Sequence, residues 1–148
     1  MSPITLVLSD LAATEALAAR VAGLLRGGDA VLLEGPLGAG KSALARALLR
    51  ALLADPALEV PSPSYTLVQT YDSPIGPVQH FDLWRLEGPA AVLELGWEEA
   101  GVALVEWPDR LGGLRPADAL SIELRHAPDD ARHATLSGWP GRLEQLRP

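Results

Sequence analysis

At 148 residues, 48% of them hydrophobic, the chain is sized for one domain and too apolar to be a disordered segment. Its 12 basic and 19 acidic residues leave a net charge of −7; nucleic-acid binders neutralise phosphates with clustered basic charge, so this chain is not one on its own account, although a partner could supply such a surface. Zero cysteines exclude disulfides, thiolate zinc sites and thiol nucleophiles, in keeping with a reducing compartment.

The first ten residues, MSPITLVLSD, lack the basic start and apolar core of a secretory signal, and no run approaches the roughly 18 apolar residues of a membrane span. A cytoplasmic protein without a membrane partner is expected. Ile4 to Leu8 reads as a first strand, and Thr14 to Leu25 as a helix with Leu17, Val21, Leu24 and Leu25 on one face, stopped by Gly27-Gly28. Ala30 to Glu34 is short and continuously apolar, the pattern of a parallel strand covered on both faces. Gly40 to Leu53 is helical by period, with Leu44, Leu48, Leu49, Leu52 and Leu53 in one stripe. Thr66 to Tyr71 and Val78 to Leu83 flank Ser73-Pro74-Ile75-Gly76-Pro77, turn chemistry that predicts an antiparallel hairpin. Pro89 to Leu95 reads as a short helix and Gly101 to Glu106 as a second buried strand. Leu120, Ile122 and Leu124 alternate with polar residues; Asp129-Asp130 separate them from a strand over Arg132 to Leu136, and Gly141 to Leu146 reads as a closing helix. With no internal repeat or linker, these elements predict one α/β domain over residues 1–148, a mixed, largely parallel central sheet flanked by helices.

The strongest chemical signal is Gly35-Pro36-Leu37-Gly38-Ala39-Gly40-Lys41-Ser42, two glycines at the spacing of a phosphate-binding loop, followed by Lys and a hydroxyl. The segment sits between a buried strand and a helix, where the backbone can curl its N–H groups toward phosphate oxygens with the helix's positive end behind them. Lys41 is the chain's only lysine beside eleven arginines, and a point charge on a flexible stem suits the β and γ phosphates. Ser42 Oγ is the expected ligand of Mg²⁺, which also needs an acidic residue at a neighbouring strand end. Glu106, closing the apolar run Val102 to Val105, is the natural candidate. Asp82, in His80-Phe81-Asp82-Leu83, could coordinate the metal or orient the attacking water. Ser62-Pro63-Ser64-Tyr65-Thr66 offers hydroxyls beside a rigid proline, which suits either a loop closing over the γ-phosphate or an ordinary lead-in to the hairpin. Trp107 could wall the nucleotide or cover the core. His80 reads as a packed or hydrogen-bonded structural residue, and the three histidines show no metal-ligand spacing.

Taken together, GPLGAGKS, SPSYTLV, HFDLWRL, ELGWEE and LVEWPDR follow one another as in the TsaE family, formerly YjeE, and the resemblance spans nearly the whole chain. It implies a P-loop NTPase-like fold that binds ATP and Mg²⁺ and hydrolyses ATP slowly alone, in support of threonylcarbamoyl modification of the adenosine beside the tRNA anticodon. TsaD, which transfers that group, and its scaffold TsaB are the implied partners, with tRNA reached only through them. By position, the resemblance implies that the loop and first turn, Leu37, Gly38, Ala39, Gly40, Lys41, Ser42 and Ala43, cradle phosphates with Trp107 nearby. Ser42 and Glu106 would hold Mg²⁺, Asp82 would serve hydrolysis, and Ser64 would lie in a switch loop. Leu11 and Arg132 would border the purine. Two positions depart from the family pattern: Ser64 stands where Thr is usual, and Trp84 where Tyr is usual.

Rival readings use the same residues. A GTPase needs an Asn-Lys-x-Asp element, and no lysine exists outside Lys41; Asp109-Arg110-Leu111-Gly112 matches Asp-x-x-Gly but lies beyond the strand end. A small-molecule kinase could use Asp82 as its base but needs an arginine-rich lid, for which only Arg85 and Arg110 are near. A nucleotide-gated interaction module would use ATP to order Ser62 to Tyr71 and would not depend on hydrolysis.

Overall fold

The computed structural model describes residues 3–63 and 65–148. Its seven strands form one sheet in the order β1-β7-β6-β2-β5-β4-β3. They are β1 (Ile4–Leu8), β2 (Ala30–Glu34), β3 (Val68–Ser73), β4 (Gly76–Asp82), β5 (Val102–Glu106), β6 (Leu120–His126) and β7 (Arg132–Gly138). The central block β6-β2-β5-β4 is parallel, while β1, β7 and β3 pair antiparallel at the two sides. Alternation along β2 explains why its whole run is apolar: Val31 and Leu33 join the core under the two long helices, and Ala30 and Leu32 join the core on the opposite face.

Helices α1 (Leu11–Leu24) and α2 (Lys41–Leu52) cover the first face, packing Leu17, Val21, Leu44 and Leu48 with Ile122, Leu124 and Leu136. The short α3 (Pro89–Glu94) and the turns around Trp97 and Leu111 cover the other, against Phe81, Leu83 and Val105. Helix α1 starts three residues before the expected Thr14, because Asp10 stays extended and its Oδ1 accepts a hydrogen bond from Ala13 N at 2.9 Å. Strand β3 starts at Val68, two residues later than expected, because Leu67 has φ 69° and breaks the extended run. The hairpin turn is tighter than the Ser-Pro-Ile-Gly-Pro string suggests: Ser73 already pairs with Gly76, and its Oγ donates to Gly76 O at 2.7 Å. Among the described residues no helix is long and apolar enough to cross a membrane.

The expected closing helix is a correction. Residues Leu143–Leu146 form only a 3₁₀ turn, too short to propagate and held by tertiary contacts. Trp139 is fully buried before it, and Arg142 stacks 4.3 Å from the Trp139 ring centre. Arg142 also donates to Leu24 O at 2.8 Å and to both carboxylate oxygens of Asp29, at 2.6 and 2.8 Å. Burial pushes the Asp29 carboxyl up, but hydrogen bonds and charge from Arg142, with the Arg26 amide, outweigh it and hold the group below its ordinary range. A carboxyl lowered in the folded state adds stability above its unfolded value of about 3.9, and that stability is lost as pH falls through the folded value. Asp29→Asn is therefore expected to cost about 1–3 kcal/mol at pH 7 and less at pH 3, below the unfolded value, measured by urea unfolding at both; an equal cost at both would overturn the assignment.

Candidate functional site

Three of the parallel strands deliver their carboxyl ends to one place. Strand β2 ends at Glu34 and runs into the glycine loop, while Asp82 and Glu106 are the last residues of β4 and β5 and stand opposite each other in register. Ligands of open parallel sheets bind at this edge, where loops leave the strands and helix N-termini point back. Gly35 opens the loop at φ 139°, where a Cβ would lie 2.3 Å from Leu124 O, so no side chain can replace its hydrogen. Gly40, at φ 106°, closes the loop in the left-handed region directly before α2.

Lys41 is 5% exposed and folded back on the loop that precedes it. Its Nζ donates to Gly35 O and, at 3.2 Å, to Pro36 O, and lies 3.7 Å from the centre of the Trp107 ring. Burial pulls this ammonium below the ordinary lysine range, against the opposing charges of Glu106, Asp82 and Asp109. Trp107 takes a left-handed backbone, φ 60°, and its ring meets Trp84 at 4.4 Å, so it both walls the cavity and covers the core edge.

The acidic groups are buried with partners. Glu106 is 3% exposed, its Oε1 accepting from Ser42 Oγ at 3.2 Å and its Oε2 lying 2.7 Å from His80 Nε2. Asp82 is 6% exposed and its Oδ1 accepts from Trp84 N at 3.0 Å. Leu37, Gly38, Lys41, Ser42, Ser62, Asp82, Glu106 and Trp107 share the lining of one cavity of about 270 Å³. Among the described residues no group of three or more His, Asp or Glu side chains could hold a metal ion. What the site offers a cation is the Ser42 hydroxyl and the Glu106 carboxylate, with the Asp82 carboxylate in the same cavity, hard oxygens that fit Mg²⁺, which keeps waters and substrate phosphates in its shell.

A second cavity of about 170 Å³ adjoins the first across Gly40 and Ala43, which line both. Leu8, Asp10, Leu11 and Thr14 form one wall and Asp130 and Arg132 the other, with Ala39 beneath. Arg132 reaches across from β7: Nε donates to Ala39 O at 3.0 Å and Nη2 to Gly38 O at 3.4 Å, lacing the loop to the sheet. Thus the structure brings the loop, Lys41, Ser42, Ala43, Asp82, Glu106 and Trp107 together, with Leu11 and Arg132 beside them. Ser64 lies outside the described residues. Its neighbour Tyr65 is 88% exposed, and Arg85 Nη2 donates to Tyr65 O at 3.1 Å.

Two contributors escape a reading of the sequence. Asp10 and Asp130 line the second cavity without a motif to mark them. His80, read from the sequence as a packed or hydrogen-bonded structural residue, is buried and bonded to Glu106; its spacing of two from Asp82 puts both on one strand face.

Comparison with known proteins bears on the family and the fold. The family model described as "Threonylcarbamoyl adenosine biosynthesis protein TsaE" matches residues 8–134. The tRNA threonylcarbamoyladenosine biosynthesis protein TsaE of Rickettsia bellii is 33% identical over 134 residues, 88% of this chain and 92% of its own length. Its namesake from Bacillus subtilis is 33% identical over 137 residues, covering 90% and 84%. The Aquifex aeolicus protein of that name is 36% identical over 115 residues, covering 75% and 80%. The crystal structure of Bacillus subtilis YdiB superposes with a TM-score of 0.77 at 28% identity, covering 98% of this chain and 91% of that one. A family match across the site-bearing elements, relatives covering most of both chains and a shared fold lead to one conclusion: the chain belongs to the TsaE family of tRNA threonylcarbamoyladenosine biosynthesis.

Proposed function

We propose that the chain is an Mg²⁺-dependent ATPase that works with the TsaB–TsaD complex in the cytoplasm and meets tRNA only through that complex. The observation that carries this reading is the meeting of Lys41, Ser42, Asp82 and Glu106 in one cavity at the mouth of the glycine loop. In this reading the loop N–H groups cradle the phosphates, and Lys41 exchanges the Gly35 and Pro36 carbonyls for β and γ phosphate oxygens. Ser42 and Glu106 hold Mg²⁺, which when bound offsets charge developing on the phosphates. Asp82 orients the attacking water by accepting its hydrogen bond. Trp107 shields the phosphates from solvent, and the cavity beside Leu11 and Arg132 takes the nucleoside. The net charge of −7 suits a protein that serves tRNA through a partner instead of gripping it.

The test is phosphate release by the purified chain with ATP and Mg²⁺, alone and with its cognate TsaB and TsaD, while any phosphorylated small molecule is monitored. Marked stimulation by the partners is the expected result. No stimulation, with phosphate appearing on an added metabolite, would replace the reading with that of a small kinase.

A further inference from the structure

We infer that His80 is a positioning residue that sets the metal preference of the site by dividing the two oxygens of Glu106. The inference rests on the proposed Mg²⁺ site. His80 faces Leu104 in the β4–β5 register, two positions before the Asp82–Glu106 pair, so its ring reaches diagonally to the Glu106 carboxylate. A carboxylate oxygen can only accept, so the ring nitrogen facing it, Nε2, carries the hydrogen and donates to Oε2 at 2.7 Å. Both side chains are nearly sealed, at 2% and 4% exposure. Among the described residues the other ring nitrogen, Nδ1, is buried without a hydrogen-bond partner. A buried polar group with an unmet nitrogen is costly where an apolar side chain would pack as well. Among the described residues, the polar contact that offsets this cost is the bond to Glu106.

That bond has a chemical consequence. The His80 bond to Oε2 resists rotation of the carboxylate toward a pose that offers both oxygens to one cation, and Oε1, 3.2 Å from Ser42 Oγ, is the oxygen beside the proposed hydroxyl ligand. One Glu106 oxygen and one hydroxyl, with Asp82 lining the same cavity, suit the small octahedral shell of Mg²⁺, whereas Ca²⁺ takes six to eight oxygens and is favoured by bidentate carboxylates. Freeing Oε2 should therefore both loosen Mg²⁺ and relax discrimination against Ca²⁺.

The experiment is calorimetric titration of the full chain with a non-hydrolysable ATP analogue in Mg²⁺ or in Ca²⁺, for wild type, His80→Leu and His80→Gln. The Gln amide can replace the Nε2 donor; Leu cannot. His80→Leu is expected to weaken Mg²⁺-supported binding about 10–100-fold and to lower the Mg²⁺-to-Ca²⁺ preference, and His80→Gln to restore both. A folded His80→Leu protein with the wild-type preference, or a His80→Gln protein that behaves like His80→Leu, would overturn the inference. If His80→Leu does not fold, His80→Asn, too short to reach Oε2, must lose the preference that His80→Gln keeps; equal behaviour of the two overturns it. Absence of Mg²⁺-supported binding in wild type instead overturns the ATPase reading, and this inference with it.

Discussion

Asp82→Ala is expected to lower ATP turnover about a hundredfold or more, the loss typical of removing a positioned acid–base group, while ATP affinity stays within a few-fold of wild type. The separation follows from where Asp82 sits. It ends β4 and faces the cavity, but it lies across from the glycine loop on another strand, and neither Lys41 nor Ser42 hydrogen-bonds to it. Its Oδ1 takes the Trp84 amide, which fixes the carboxylate's direction. Asp82→Asn separates charge from shape, since the amide oxygen can still accept from Trp84 N while the anionic acceptor is gone; its turnover should fall with that of Asp82→Ala. Single-turnover hydrolysis, nucleotide titration and analysis of threonylcarbamoyladenosine in a complemented strain together decide the matter. Loss of turnover and of the modified base together is the expected result. Retention of both would remove Asp82 from the site, and retention of the modified base without turnover would show that nucleotide binding, not hydrolysis, is what the pathway needs.

Much of this geometry is legible in the amino-acid sequence, because the signals are local. Gly35 to Ser42 carries its own conformation: glycines where φ is positive, and a helix whose apolar stripe begins at once. Glu106 is legible as the end of a continuously apolar strand, and Asp82 as the end of its neighbour, since a buried run must stop where a carboxylate can reach solvent or a ligand. What stays hidden depends on contacts between distant segments. The β4–β5 register, which joins His80 to Glu106, is fixed by packing on both faces of the sheet and leaves no mark in either strand alone. The Asp29–Arg142 pair links positions 113 residues apart. The left-handed backbone at Leu67 and Trp107 goes against residue preference and is imposed by the surrounding fold. The start of α1 escapes for a simpler reason: the apolar period points to Thr14, whereas the cap at Asp10 sets the boundary.

Lys41→Ala is expected to weaken ATP binding about 10–100-fold, corresponding to the loss of one or two charge-assisted hydrogen bonds to phosphate, with the fold intact. The structure explains why stability should survive. Lys41 is buried with its ammonium against two loop carbonyls and the Trp107 face, so burial and pairing oppose each other, and truncation removes the buried charge while opening the two carbonyls to the cavity. The loop itself is held independently: Arg132 ties down Gly38 and Ala39 from β7, and Gly35 is fixed against Leu124. Arginine is not an adequate replacement, because its planar fork needs room that a 5%-exposed site closed by Trp107 does not offer. Lys41→Arg should therefore bind ATP no better than Lys41→Ala. Nucleotide titration beside urea unfolding checks both halves of the claim: unchanged affinity in Lys41→Ala would put the phosphates elsewhere, and a collapsed unfolding midpoint would show that the lysine holds the loop as well as the ligand.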